Sequence, residues 1–212
     1  MQFDLFDSTS NQILEAKTYA DFKKRLAESE CTKCPLSENR RHIVVDRGNP
    51  EAKVLMIGEA PGENEDIQAK AFVGRAGQLL DQMLRELGVD TNRDTLIANV
   101  VKCRPPENRA PKQEEVDQCM PFLRKQIQLV KPEIIVLLGA TALKHLIRDK
   151  GEFSMENEAG KFFTHPDYPG IQLMVLYHPA FILRDPRKKP TMAIHLKALK
   201  HLMDEKSVSV KA

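Results

Sequence analysis

Val54-Leu55-Met56-Ile57-Gly58-Glu59-Ala60-Pro61-Gly62 is the stretch that decides the fold class. Four apolar residues without polar alternation describe a strand covered on both faces, and such strands belong to parallel sheets flanked by helices. The pattern recurs. Leu96-Ile97-Ala98-Asn99-Val100-Val101, Ile134–Leu138 and Leu173-Met174-Val175-Leu176 read as three further strands. Helical spacing fills the intervals. Leu79, Leu80, Met83, Leu84 and Leu87 share one face of a helix over residues 78–87, stopped by Gly88. Residues 113–130 form a second helix ended by Lys131-Pro132, and residues 142–148 and 192–203 form two more. The expected fold is α/β, a three-layer α/β/α domain around a central four-stranded, mainly parallel sheet.

Upstream, a helix is expected from Asn11 or Thr18 to Ser29, followed by a long loop. Residues 150–170 read as loop with at most a small hairpin. The domain organisation is then a flexible lead over 1–10, one domain over 11–205 and a tail over 206–212. Ligands of open parallel sheets bind beyond the carboxyl ends of the strands, which places Glu59, Asn99, Gly139 and His178 around one crevice. A phosphate cradle is the alternative for the turn after Ile57. It lacks both the G-x-G-x-x-G spacing and a P-loop lysine, and Glu59, Glu63, Glu65 and Asp66 would repel a nucleotide.

The only four cysteines are Cys31, Cys34, Cys103 and Cys119. No N-terminal stretch reads as a secretory signal, so we expect a cytoplasmic protein with reduced thiols. There a C-x-x-C pair plus two further cysteines points to metal or iron–sulfur ligation rather than disulfides. Buried free thiols would account for one or two of them, but poorly for Cys31-Thr32-Lys33-Cys34-Pro35. The formal net charge is only +2, and no apolar run is long enough to span a bilayer. Charge distribution says more. Arg184, Arg187, Lys188, Lys189, Lys197 and Lys200 face the single Asp185 within residues 181–202, and Lys102, Arg104, Arg109 and Lys112 face only Glu107 within residues 99–112. Charge runs are usually solvated faces; two that converge suit a phosphate backbone.

Three segments carry a family resemblance. Residues 58–66, Gly-Glu-Ala-Pro-Gly-Glu-Asn-Glu-Asp, together with Ala71-Phe72-Val73-Gly74-Arg75-Ala76-Gly77-Gln78-Leu79-Leu80, resemble the first motif of family 4 uracil-DNA glycosylases. Asn99-Val100-Val101-Lys102-Cys103-Arg104-Pro105-Pro106-Glu107-Asn108-Arg109 is similar to the central motif, and His178-Pro179-Ala180-Phe181-Ile182-Leu183-Arg184 to the final one. The likeness extends over residues 31–203. It implies a uracil-DNA glycosylase of base excision repair, a monomer without a lyase step that carries a [4Fe–4S] cluster on Cys31, Cys34, Cys103 and Cys119.

The same resemblance assigns roles. A glycosylase flips the base out of the stack before reaching the glycosidic bond. Phe72 would stack on the flipped uracil, a contact worth about 1–3 kcal/mol. Asn99 would read the base edge, its carboxamide offering one donor group and one acceptor, while cytosine presents the opposite pattern. His178 would donate to uracil O2 as negative charge develops on the leaving base. Glu59 would orient a water and favour the oxocarbenium-like sugar. The Ala60 backbone and Glu65 would also contact the base, Glu65 near its C5 edge. Phe181, Ile182 or Leu183 would fill the vacated stack, with Arg184 on phosphate. Taken singly, Asn99 is a turn residue, His178 and Phe72 are core, and Glu59 is a solvated carboxylate; their joint occurrence in matching contexts reverses those readings.

The family writes Gly-x-Pro where this chain has Ala69-Lys70-Ala71, so the loop holding Phe72 is expected to be strained or looser. No Lys/Arg-rich insert follows Asn99, unlike the branch that traps DNA covalently. Two rivals remain: a DNA-damage-binding protein of the same fold with weakened chemistry, and an iron–sulfur electron carrier. Finally, Gln2-Phe3-Asp4-Leu5-Phe6 is similar to the Q-x-x-L-F peptides that bind the bacterial sliding clamp, in which Gln2, Leu5 and Phe6 would make the contacts.

Overall fold

The computed structural model describes residues 8–206. Six strands form one sheet: β1 (Arg47–Gly48), β2 (Val54–Gly58), β3 (Thr95–Asn99), β4 (Ile134–Leu138), β5 (Phe162–Phe163) and β6 (Gln172–Leu176), in the order β1-β3-β2-β4-β6-β5. The expected four parallel strands are its centre. Two-residue antiparallel strands flank them, Arg47 opposite Ile97 and Phe162 opposite Met174. These edges correct the four-stranded expectation. Two residues are too few for a periodic signal, and the short caps leave little open edge for another chain.

The helices are α1 (Ser8–Leu14), α2 (Tyr19–Glu28), α3 (Glu63–Gln68), α4 (Arg75–Arg85), α5 (Gln113–Val130), α6 (Ala140–Leu146), α7 (Met155–Glu158), α8 (Pro179–Arg184) and α9 (Lys189–Glu205). Ser8 to Ser10 thus belong to a helix, not to a lead, and the first expected helix is two. Thr18 divides them, its extended backbone and hydroxyl capping α2 by accepting from Asp21 N at 3.2 Å. Residues 150–170, expected as loop with at most a small hairpin, hold the short helix α7 and the two-residue strand β5, which pairs antiparallel with β6. Residues 179–184, expected as a loop, are α8, with Pro179 at its first turn. Gln2, Leu5 and Phe6 lie outside the described residues. Among the described residues no helix is long and apolar enough to cross a membrane.

Alternation along each central strand splits the core in two. Leu55, Ile57, Leu96, Ala98, Ile135, Leu137, Leu173 and Val175 meet Phe22, Leu26, Val116 and Leu123 on one face. Val54, Met56, Ile97, Val136, Leu138, Met174 and Leu176 meet Leu80, Leu84, Leu196 and Leu199 on the other. This is the three-layer arrangement. Because β2 is bordered by β3 on one side and β4 on the other, the chain reverses its direction of progress across the sheet at the β2–β4 boundary, where open sheets place their ligand crevice.

Ala69, standing where a glycine was expected, ends α3 in the left-handed region, with φ 53° and ψ 30°. That conformation crowds a Cβ against the following carbonyl. Ala71 has gained something from the absent proline: its N–H donates to Asp46 O at 3.4 Å, a bond proline cannot form. Ala69→Gly should therefore stabilise the protein by up to about 1 kcal/mol, the relief of left-handed strain less the added freedom of the unfolded chain. Urea unfolding checks this: a higher midpoint at unchanged m-value is expected, and a lower one contradicts the strain.

Candidate active site

Two glycines open the switch point. Gly58 ends β2 and Gly139 follows β4, and neither position has room for a side chain. A Cβ on Gly58 would stand 2.5 Å from the Phe72 ring and 2.6 Å from Asn99 Oδ1. On Gly139, whose φ is +93°, it would stand 2.9 Å from His178 Cβ. The missing side chains let Phe72, Asn99 and His178 converge from three separate segments, the loop before α4, the end of β3 and the start of α8. The Phe72 and His178 rings face each other with centroids 5.6 Å apart. Together with Glu59, Ala60 and Glu65 they line a cleft of about 580 Å³.

Asn99 carries the most informative feature of the cleft. Its side chain is buried at the end of β3, yet neither Oδ1 nor Nδ2 has a hydrogen-bond partner within the protein. A buried carboxamide with both ends unmatched is costly, and proteins keep such groups where a ligand completes them. The main chain of the same residue is held: Lys102 Nζ donates to Asn99 O at 2.8 Å. The amide is thus fixed at its base and open at its tip.

Phe72 is held just as firmly. It is buried in the left-handed region at φ 54°, an outlier for a bulky residue and a strain of about 1–3 kcal/mol that the surroundings must impose. Gly77 in α4 imposes part of it, since a Cβ there would fall 1.8 Å from Phe72 O. Glu65 supplies another part: its Oε1 accepts from Gly74 N at 2.7 Å, fastening the far side of the Phe72 loop to α3. The family resemblance implies a place for Glu65 near the base but not this loop-fastening bond.

Glu59 follows Gly58, half-buried at the cleft wall. The hydroxyl of Thr141, in the first turn of α6, donates to its Oε2. That bond crosses the switch point from β4 to β2 and orients the carboxylate. Sequence reasoning does not single out Thr141, because nothing in Gly139-Ala140-Thr141 tells which carboxylate it will meet. His178 has its tautomer set by its own helix: Nδ1 accepts from Ala180 N at 3.1 Å, so the ring proton is on Nε2. Burial first, then the nearby Arg184 charge, push its pKa down to about 4. The imidazole is a neutral donor at physiological pH.

At the cleft mouth α8 distributes the wedge candidates. Ile182 is buried in the core, which removes it from the three. Phe181 lines the cleft and packs on Tyr177 at 5.3 Å, while Leu183 is exposed at 38%. Arg184 is exposed and also lines the cleft. The other basic segment is less available than its composition suggests. Lys102 is buried, and Arg109, although it lines the cleft, grips the buried Glu115 with both nitrogens at 2.6 and 2.8 Å. Arg104 stands 3.7 Å from Glu63.

Cys31, Cys34, Cys103 and Cys119 line one small pocket between α2, α5 and the loop after β3. Among the described residues no group of three or more His, Cys, Asp or Glu side chains is arranged to hold a metal ion. Burial pushes the Cys103 thiol up to about 11 and the Cys119 thiol up to about 12, and Cys34 in the same direction. Such thiols ionise only when a cation replaces the lost water. Arg40 donates to Cys103 Sγ at 3.6 Å. Four soft sulfur donors lining one pocket beside a cation have the chemistry that suits an anionic, thiolate-held iron–sulfur group.

Known proteins agree with this geometry. The model of the Uracil DNA glycosylase superfamily matches residues 45–202. The Type-4 uracil-DNA glycosylase of Saccharolobus solfataricus is 38% identical over 85% of this chain and 85% of its own. Those of Thermotoga maritima and Pyrobaculum aerophilum are each 43% identical over 74% of this chain, and over 79% and 81% of theirs. With the switch-point cleft in place and the match running through every strand that builds it, the chain belongs to the uracil-DNA glycosylase superfamily.

Proposed function

We propose that this protein is a uracil-DNA glycosylase that flips uracil from DNA and hydrolyses its N-glycosidic bond, leaving an abasic site. The observation that carries the reading is Asn99: a buried carboxamide whose donor and acceptor are both unmatched, between an aromatic face and a neutral imidazole donor. Uracil supplies the complementary pair at N3–H and O4, whereas cytosine reverses it and would leave buried groups unpaired. Phe72 stacks on the base. His178 Nε2–H donates to O2 and stabilises the departing uracil anion without itself giving up the proton. Glu59, steadied by Thr141, orients the attacking water and offsets positive charge on the sugar. Ala60 contributes backbone contact, and Glu65 guards the C5 edge while holding the Phe72 loop.

Leu183, exposed on α8, is the candidate wedge, with Phe181 behind it and Arg184 on the phosphate. Cys31, Cys34, Cys103 and Cys119 hold a [4Fe–4S] cluster that staples the N-terminal segment, the strand end bearing Asn99 and α5 to one another. A damage-binding protein would need the Asn99 amide as well; Glu59, oriented by Thr141 and not needed to read the base, favours catalysis over the binding-only alternative. Gln2, Leu5 and Phe6 bind the sliding clamp in the cytoplasm; deleting residues 1–7 should abolish clamp co-elution and leave activity on short oligonucleotides intact, and unchanged co-elution refutes it.

The activity is read on a uracil-containing oligonucleotide treated with alkali after incubation. Strand cleavage is expected with the wild type. Under single-turnover conditions it should fall about 10²-fold or more in Asn99→Ala and in Glu59→Ala. A wild type that binds the oligonucleotide and makes no abasic sites overturns the reading. The pH profile tests His178 separately. A pKa depressed to about 4 means that the neutral donor persists as pH falls, and protonation removes it only near that value. No loss of rate with a midpoint near the ordinary histidine value is expected; such a loss, abolished in His178→Asn, contradicts the assigned state.

A further inference from the structure

Lys102 stands between the two parts of the molecule described above: it holds the Asn99 main chain, but its charge has been given no role. It is 1% exposed, follows β3 by three residues and lines the cysteine pocket beside Cys103 and Cys119. Its ammonium turns toward the sheet, donating to Asn99 O at 2.8 Å and to Gln126 Oε1. Gln126 is locked in turn: its Nε2 donates to Tyr19 OH at 2.9 Å and Val45 O at 3.2 Å. Tyr19 OH donates to Asp46 Oδ2 at 2.6 Å, and Asp46 Oδ1 is paired with Lys23 at 2.7 Å.

Both acceptors of the Lys102 ammonium are therefore neutral. A buried cation with neutral partners is strongly disfavoured unless negative charge lies close by. Asp46 is two side chains away and already paired with Lys23. Asp46 supplies part of that charge, and the cysteines that share the pocket are the other source. As thiolates around a cluster they would supply the missing charge, with Arg40 on Cys103 as a second cation.

We propose that Lys102 is the positioning residue that joins the cysteine site to the base-reading amide: its ammonium is the buried counter-charge of the thiolate-held cluster, and through the same nitrogen it fixes the main chain of Asn99. The inference rests on the functional reading above. It predicts that the cluster governs uracil excision electrostatically and through a single side chain, beyond its staple role. Adding an electron to the cluster is favoured by a nearby positive charge, so removing that charge lowers the reduction potential.

The test uses anaerobically purified full-length protein and Lys102→Met, which keeps the stem and removes the charge. Expected are a more negative cluster potential by film voltammetry and faster loss of the visible iron–sulfur absorbance in air. The single-turnover excision rate should fall about tenfold to a hundredfold with KM for the oligonucleotide little changed, the signature of a misplaced group at the reacting end of the site. Wild-type potential together with wild-type excision in Lys102→Met overturns the proposal. Should the variant fail to fold, wild-type protein labelled with [15N]lysine decides: one ammonium signal protected from solvent exchange and shifted by the cluster supports it, and its absence overturns it. A wild type that holds iron but excises no uracil refutes the functional reading alone, and the potential shift still decides the role of Lys102. A wild type that holds no cluster refutes the counter-charge.

Discussion

The site depends on a side chain that is not there. Gly58 ends the central strand where the Phe72 ring and the Asn99 carboxamide both lie within van der Waals reach of the space its Cβ would fill. Remove that vacancy and a stacking face and a reading edge cannot share one base. Gly139 repeats the device one strand over for His178. Both glycines sit at the boundary where the sheet changes direction, so the topology creates the crevice and the glycines make it deep enough to use.

Around this vacancy the protein spends stability on geometry. Phe72 is kept in a left-handed conformation by the close approach of Gly77 and by Glu65 bound to Gly74 N. The Asn99 amide is buried without partners, and the His178 imidazole is half-buried with its proton left on Nε2 by the bond from Ala180 N. Each is unfavourable in the free protein, and each is relieved or used when a flat base with one donor edge and two carbonyls enters. Such groups hold their positions before the substrate arrives, and the chemical step then needs little reorganisation.

Much of this was legible in the chain, and the limits are physical. The all-apolar strands and the helix over Gln113–Val130 are long, periodic signals, and their carboxyl ends locate Glu59, Asn99 and His178 without further help. The family's glycine at position 69 raised the expectation of strain or looseness in that loop, and Ala69 is left-handed there. What escaped is what two distant segments make together. Thr141 meets Glu59 across 82 positions of chain, and Gln126 meets Tyr19 across 107. Composition also misled: the basic stretch after Asn99 loses Lys102 to the interior and Arg109 to Glu115, because a charge count does not know which carboxylates fold back onto it. The turn at Pro179 concealed α8, and with it the burial of Ile182.

The shared vacancy at Gly58 is the central claim, and Gly58→Ala tests it most directly. One methyl group should cost about 1–3 kcal/mol of overpacking without unfolding the domain, and should leave the affinity for undamaged DNA near wild type. Single-turnover excision should fall about 10²-fold, because Phe72 and Asn99 can no longer approach the same base. Wild-type excision by a folded Gly58→Ala protein would contradict the account.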